Sequence, residues 1–251
     1  MDAIRRLILV ASAVALLAGA GPAWSLSVVV GGSGSKVEGS GTMVDEVRTV
    51  GAFNGVVVTG AIDVILKAGP VERVTVHADD NIAPLIETRV VDGKLQVGTV
   101  SGASFRTRNR LYATVEYREL ASVNVRGSGD VRADRVKSSI FEATIRGSGD
   151  VVIEALESEA VAISISGSGD IVTAGGRADK LGVVVVGSGD VRVDKLASRE
   201  AAVRIRGSGD VRVHASESLQ VDIAGSGDVL YRGEPRISKK VAGSGEVRPL
   251  R

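Results

Sequence analysis

The chain contains no cysteine, which rules out a disulfide framework, a thiol nucleophile, a thiolate metal site and the lipidated cysteine of a bacterial lipoprotein. Aromatic residues make up only 3 % of the 251 residues, so the core must be built from aliphatic side chains. The flat platforms common at sugar-binding sites are correspondingly few: beyond residue 25 they are Phe53, Phe105, Tyr112, Tyr117, Phe141 and Tyr231, with Phe53, Phe141 and Tyr231 at or near core positions. Charge of one sign is not in excess either. Lys+Arg number 31 against 30 Asp+Glu, a net charge of +1, which lacks the basic footprint that nucleic-acid binding requires. Histidine is represented by His77 and His214 alone, in different parts of the chain and without a local sequence partner, so each reads as a surface residue. Proline is scarce at 5, whereas glycine is abundant at 32, and 44 % of residues are apolar. That combination excludes collagen and a disordered linker, because such a chain can bury a substantial core.

Long apolar runs are missing except at the start. Residues 1–25 place Arg5 and Arg6 before an apolar stretch from Leu7 to Ala18, followed by small residues, the layout of a secretory signal peptide. The small-x-small rule allows cleavage after Ala20 or after Ser25, and the helix-breaking Gly21-Pro22 pair favours the second. The apolar stretch is too short for a membrane span, which needs about 20 residues. The expectation is an exported protein, periplasmic or at the cell surface, with no transmembrane span once the leader is removed. Residues 26–49, with Gly32-Ser33-Gly34 and Gly39-Ser40-Gly41, read as a tether, the alternative being a hidden first coil.

The strongest signal is periodic. Gly-Ser-Gly-Asp recurs at 127–130, 147–150, 167–170, 187–190, 207–210 and 225–228, and ends as Gly-Ser-Gly-Glu at 243–246, with spacings of 20 and then 18 residues. A fixed period of this length marks a solenoid, in which each coil buries its apolar face only by stacking on its neighbours. Within a repeat, apolar and polar residues alternate with period 2, which means strand. Aligned copies give two β-branched columns: Val125, Ile145, Ile165, Val185, Ile205, Ile223 and Val241 before the motif, and Val131, Val151, Ile171, Val191, Val211, Val229 and Val247 after it. Their common parity makes them the inward face. Gly127, Gly147, Gly167, Gly187, Gly207 and Gly225, with Gly129, Gly149, Gly169, Gly189, Gly209 and Gly227, then fall at a corner that has no room for a side chain or needs positive φ. Val136, Leu156 and Leu196 form a further inward column on a second side. The fold class is therefore all-β, a parallel β-solenoid with coils of about 20 residues spanning residues 50–251, which at that period makes roughly ten coils. Before the regular repeats, Gly51–Gly69 reads as two strands around Thr59-Gly60, and the following segment as strand, loop, strand, a turn at Asp92-Gly93, and strand.

The run GAFNGVVVTGAIDVILKAG, then VTVHADDNIAPLIETRVVDGKLQVG, then LYATVEYRELASVNVRGSGDV with its GSGD successors resembles the bacterial family of the putative auto-transporter adhesin, head GIN domain, over about residues 50–230. The resemblance implies a β-helix related in shape to pectin lyases, with GSG at the tight turn between sheets and no recognised catalytic constellation. A membrane-anchoring β-barrel segment, which self-export would require, is not visible in the sequence.

Chemistry-bearing residues are arranged as regular columns. Asp130, Asp150, Asp170, Asp190, Asp210 and Asp228, with Glu246, form an outward ladder that in principle suits calcium. Arginines flank it, however: Arg126, Arg146 and Arg206 before the motif, and Arg132, Arg192, Arg212 and Arg248 two residues after the acid. The ladder is read as structural, with no metal and no cofactor. Val152, Val172, Val184 and Val186 interrupt the arginine columns and by parity point outward, an apolar patch that suits an interface. Active sites need a few groups converging in a pocket, and this regular ladder offers none. The expected function is a non-catalytic, exported interaction module, adhesin-like, whose partner is a protein or glycan of the cell envelope or surface, with self-association as a further mode of contact. The alternative is a β-helix carbohydrate-active enzyme, lyase or hydrolase, with a site not recognisable in sequence.

Overall fold

The computed structural model of the chain describes residues 36–250. The leader expected at 1–25 and the first part of the segment read as a tether lie outside the described residues. The strands are β1 (Val37–Glu38), β2 (Met43–Thr49), β3 (Gly55–Gly60), β4 (Asp63–Ala68), β5 (Arg73–Asp79), β6 (Ile86–Val91), β7 (Lys94–Thr99), β8 (Phe105–Arg106) and β9 (Tyr112–Tyr117). From there the long coil strands begin: β10 (Ser122–Gly127), β11 (Val131–Gly147), β12 (Val151–Gly167), β13 (Ile171–Thr173), β14 (Gly176–Gly187), β15 (Val191–Gly207), β16 (Val211–Gly225), β17 (Val229–Arg232), β18 (Arg236–Gly243) and β19 (Val247–Pro249).

The regular part is a parallel β-solenoid. Successive coils stack in register, pairing Val125 with Ile145, Ile145 with Ile165, Ile165 with Val185, Val185 with Ile205, Ile205 with Ile223, and Ile223 with Val241. A slip of one residue would turn every one of these side chains outward, so the β-branched columns themselves fix the register. Both columns are fully buried up to Ile223 and Val229, and each such side chain contributes roughly 1.5–3 kcal/mol through removal from water. Inside one coil, the pairing of β11 with β12 breaks at residues 134 and 139, dividing it into runs at 131–133, 135–138 and 140–147. Inward parity changes at each break, from Val131 and Ala133 to Val136 and then to Phe141, Ala143 and Ile145, all buried, so the coil has three sides. Val136, Leu156 and Leu196 line the second side, with Gly176 taking that place in the intervening coil.

The corner glycines are required by the stacking. Gly167 has φ +141°, and a Cβ built on it would lie 2.1 Å from the carbonyl oxygen of Gly147 in the coil beneath. That same carbonyl accepts hydrogen bonds from the N–H groups of Ser168 and Gly169, at 2.9 and 3.3 Å. A side chain would therefore displace both the backbone conformation and the hydrogen bonds of the corner.

The expectation of roughly ten coils is corrected by the first third of the chain. From Gly127 to Gly243 there are six turns, at the 20- and 18-residue spacings of the motif. Below them β3 and β4 form one more coil, stacked on β10 and β11, and β7 and β9 lie parallel beneath β3 and β4. There the direction reverses: β6 runs antiparallel to β7, β5 antiparallel to β9, and β2 antiparallel to β5. These strands close that end of the core as a cap, and residues 69–121 are largely spent on it rather than on further coils. The turn expected at Asp92-Gly93 is present, with φ of 51° and 70°.

The tether reading is corrected in the same place. Within 26–49, the described residues include β1, paired with β8, and β2, paired with β5 over its whole length. Two buried or half-buried polar groups hold them there. Arg48 donates to the carbonyl of Ala83 at 2.8 Å and of Ile86 at 2.5 Å, satisfying the 3-10 turn at Ala83–Leu85 and the start of β6. Asp79, buried, accepts from the Gly41 N–H at 2.8 Å, from the Thr107 hydroxyl and from the Asn109 amide at 2.9 Å. The Thr107 hydrogen bond, with help from Gly41 and Asn109, holds the Asp79 carboxyl below its usual range.

Candidate interaction surface

The GSGD acids form one continuous ladder along the corner. The backbone N–H of Asp150 donates to a carboxylate oxygen of Asp130 at 3.0 Å, that of Asp170 to Asp150 at 2.8 Å, and that of Asp190 to Asp170 at 2.9 Å. The series continues through Asp210, Asp228 and Glu246 at 2.8–2.9 Å. A short acidic side chain suits this position because it reaches exactly one strand spacing and supplies an acceptor to an N–H that the corner leaves out of the sheet ladder. Each aspartate from Asp130 to Asp228 thus has one oxygen committed to the backbone. The remaining oxygens meet arginine in places: Arg192 spans Asp170 at 3.2 Å and Asp190 at 2.9 Å, and Arg248 approaches Asp228 at 3.7 Å. Among the described residues no group of three or more His, Asp or Glu side chains gathers as a metal site.

The ladder also starts earlier than the motif shows. Asp130 donates its N–H to Asp63 at 3.1 Å, and Gly127 stacks on Gly60, so Gly60-Ala61-Ile62-Asp63 is a disguised corner. Ile62 is tolerated where later coils have glycine. A Cβ on Gly60 would meet nothing within 4 Å, so no corner lies beneath this coil to exclude a side chain. The spacing Gly-x-x-Asp-Val was the available signal.

The four outward valines divide between two sides of the coil. Val152 and Val172 are neighbours on the run after the corner, between Arg132 and Arg192, whereas Val184 and Val186 lie on the run before it, between Ser164 and Ser166 below and Arg204 and Arg206 above. Val186 is 45 % exposed and the other three are half-buried. The corner ridge separates the two pairs, so they do not make a single flat patch.

A concavity lies elsewhere, along the coil corner around residue 139, called here the second corner. It is a groove of about 840 Å³ running across three coils, lined by Lys137, Ser138 and Ser139, by Glu157, Ser158 and Glu159, by Arg177, Ala178 and Asp179, and bordered by Asn54 and residues 119–121. Lys137, Glu157 and Arg177 are level in successive coils, which gives the groove alternating charge at strand spacing, with Lys137 and Glu157 4.0 Å apart. Two of the serines are engaged internally, since Ser138 donates to the carbonyl of Ile140 and Ser158 to the carbonyls of Ser139 and Ala160. Sequence columns contained these residues, but nothing in them marked the concavity, which arises where residues 119–121 enter beside the stacked corners.

His77 does have partners, contrary to the reading from sequence. Its ring lies 4.2 Å from that of Tyr112 and nearly parallel to it, Nδ1 is 2.7 Å from a carboxylate oxygen of Asp45, and Nε2 is 3.1 Å from the Thr114 hydroxyl. The group is spread over three neighbouring strands, β2, β5 and β9, which is why its members are distant in sequence. His214 occupies a half-buried place on β16.

Solved structures share this architecture. A putative adhesin from Bacteroides fragilis is 22 % identical, with a TM-score of 0.81 over 85 % of this chain and 100 % of that one. A putative adhesin from Parabacteroides distasonis is 23 % identical, with a TM-score of 0.70 over 86 % of this chain and all of that one. A putative lipid binding protein from the same species is 24 % identical, with a TM-score of 0.66 over 86 % of this chain and all of that one. At these identities the likeness establishes the fold. Comparison with curated proteins gives no match. The profile of the family described as "Putative auto-transporter adhesin, head GIN domain" matches residues 52–235, which is well over half of the chain, and the protein belongs to that family.

Proposed function

We propose that the protein is an exported, non-catalytic, adhesin-like interaction module that binds a protein or glycan of the cell envelope or surface, with the groove of the second corner as its contact site. The observation that carries this reading is the commitment of the aspartates from Asp130 to Asp228 to backbone N–H groups of the next coil, which makes the most conspicuous chemistry of the sequence a structural device. Family membership supports the adhesin-like role. A concave, charged strip repeated at strand spacing offers multipoint contact to an extended partner, the use to which solenoid faces are suited. Export rests on the leader at 1–25: the intact mass of the mature form should place its first residue at Leu26. Reversing Lys137 and Arg177 to glutamate, both exposed, should weaken binding to isolated envelope fragments or envelope glycans at least tenfold, while the Val172→Lys, Val186→Lys pair should leave it unchanged. The opposite ranking moves the contact to the valine-bearing sides.

One observation favours the enzymatic alternative. Glu159 and Asp179 lie level in adjacent coils within the groove, and glycoside hydrolysis requires two carboxylates across the scissile bond. Assaying purified protein for new reducing ends on envelope glycans and pectins separates the readings. Turnover abolished by Glu159→Gln overturns the non-catalytic proposal.

A further inference from the structure

The two ends of the solenoid differ. One is closed by β2, β5 and β6, whereas at the other β18 is exposed along its whole length. Ile237 and Val241, on the inward columns, are 41 % and 38 % exposed, while Leu219 and Ile223, one coil inside, are 1 % and 0 %. Among the described residues nothing covers this edge, and a long open strand edge with apolar residues is a template for pairing.

The sequence itself contains a segment of the matching pattern. Leu26-Ser27-Val28-Val29-Val30-Gly31-Gly32-Ser33-Gly34, in the segment outside the described residues, repeats the strand-and-corner pattern of Val183-Val184-Val185-Val186-Gly187-Ser188-Gly189. When Gly32 is aligned with Gly243, Leu26, Val28 and Val30 fall level with Ile237, Lys239 and Val241, so all three inward positions are apolar. We propose that this segment of one copy adds to the open end of a second copy as a parallel strand and corner, joining molecules head to tail.

Reach makes the pairing intermolecular. Residue 36 leads into β1 at the capped end, and the path from β9 to β19 crosses β4, β11, β12, β13, β15, β16 and β17. These eight strand spacings of about 4.8 Å span about 38 Å, whereas ten fully extended residues reach at most about 35 Å, with none left to lie along β18. Charge selects the occupant. A second β18 placed against the first would bring the Lys239–Lys240 pairs of two copies together, but residues 26–35 carry no charged side chain. The capped end that follows the segment carries Asp45 and Glu46, 69 % and 44 % exposed although bonded to His77 and Arg48, and the open end carries Arg236, Lys239 and Lys240 along the exposed β18. Because the two contacting surfaces differ, the contact is heterologous and extends into an open chain of modules.

Sedimentation velocity of the exported, purified protein over a range of concentrations should show species growing beyond the dimer. Val30→Lys and Val241→Lys should each sediment as a monomer with an unchanged circular dichroism spectrum. An equimolar mixture of the two should form a 1:1 dimer and nothing larger, because each supplies the one surface that the other lacks. A monomeric wild type, assembly that survives Val30→Lys, or a mixture that stays monomeric overturns the proposal. The measurement contains no envelope partner, so its outcome is independent of the binding function proposed above.

Discussion

At the scale of single residues, the repeated motif separates into parts with different physical reasons for being there. Gly167 is fixed by conformation and by contact, so Gly167→Ala should cost on the order of 3 kcal/mol in chemical denaturation, through positive φ and the Gly147 carbonyl. Ser168→Ala, one residue along and exposed, should change stability by less than about 0.5 kcal/mol. The aspartate is fixed by the acceptor it offers. Asp150→Asn keeps an oxygen for the Asp170 N–H and should be nearly silent, whereas Asp150→Ala removes it and should cost about 1 kcal/mol, limited by the access of water to this exposed site. Equal effects of the asparagine and alanine variants would show that charge, and not the acceptor, is what the position supplies.

Among the elements, the strands of the regular coils were legible in sequence and those of the cap only as strands. The parity of Val185 and Val186 illustrates the first. Val185 is fully buried and Val186 is 45 % exposed, so Val185→Arg should unfold the domain, at several kcal/mol, and Val186→Arg should melt within a few degrees of the parent. The cap strands β5, β6 and β7 show the same alternation as coil strands, and period 2 carries no information about whether a strand joins its neighbour parallel or antiparallel. Nor does sequence reveal that Asp79 gathers Gly41, Thr107 and Asn109 from separate segments. That cluster gives the cap a pH dependence of defined sign. Folding lowers the Asp79 pKa, so its stabilising contribution is complete above the ordinary value of 3.8 and is lost as pH falls below it through the folded value. Amide exchange in β2, measured by mass spectrometry, should therefore accelerate relative to that in β12 as pH is taken below the ordinary value, and Asp79→Asn should remove the difference. Uniform acceleration in both strands would assign the acid sensitivity to the solenoid as a whole.

For the whole molecule, the period predicted the architecture because each coil is one unit repeated, and it misjudged the number of coils because the cap reuses the same strand chemistry without the corner glycines. The groove was hidden for a related reason: Lys137, Glu157 and Arg177 are spaced like any other column, and only the entry of residues 119–121 beside them makes a concavity. The ladder was visible, but its partners were not, since the acceptor relation runs from side chain to the backbone of a residue 18 or 20 positions away. That relation decides how the whole rod responds to calcium. A calcium ion takes six to eight oxygen ligands, whereas each Asp from Asp130 to Asp228 has one oxygen already bonded to an N–H, and Arg192 competes for the other at Asp170 and Asp190. Binding would have to break the corner hydrogen bonds that hold consecutive coils together. The thermal midpoint in millimolar calcium and in chelator should accordingly agree to within about two degrees, since a ligand that does not favour the folded state does not stabilise it. A rise of about ten degrees with calcium would mean that the second oxygens of several coils act together as a metal site, and that the arginines yield to it.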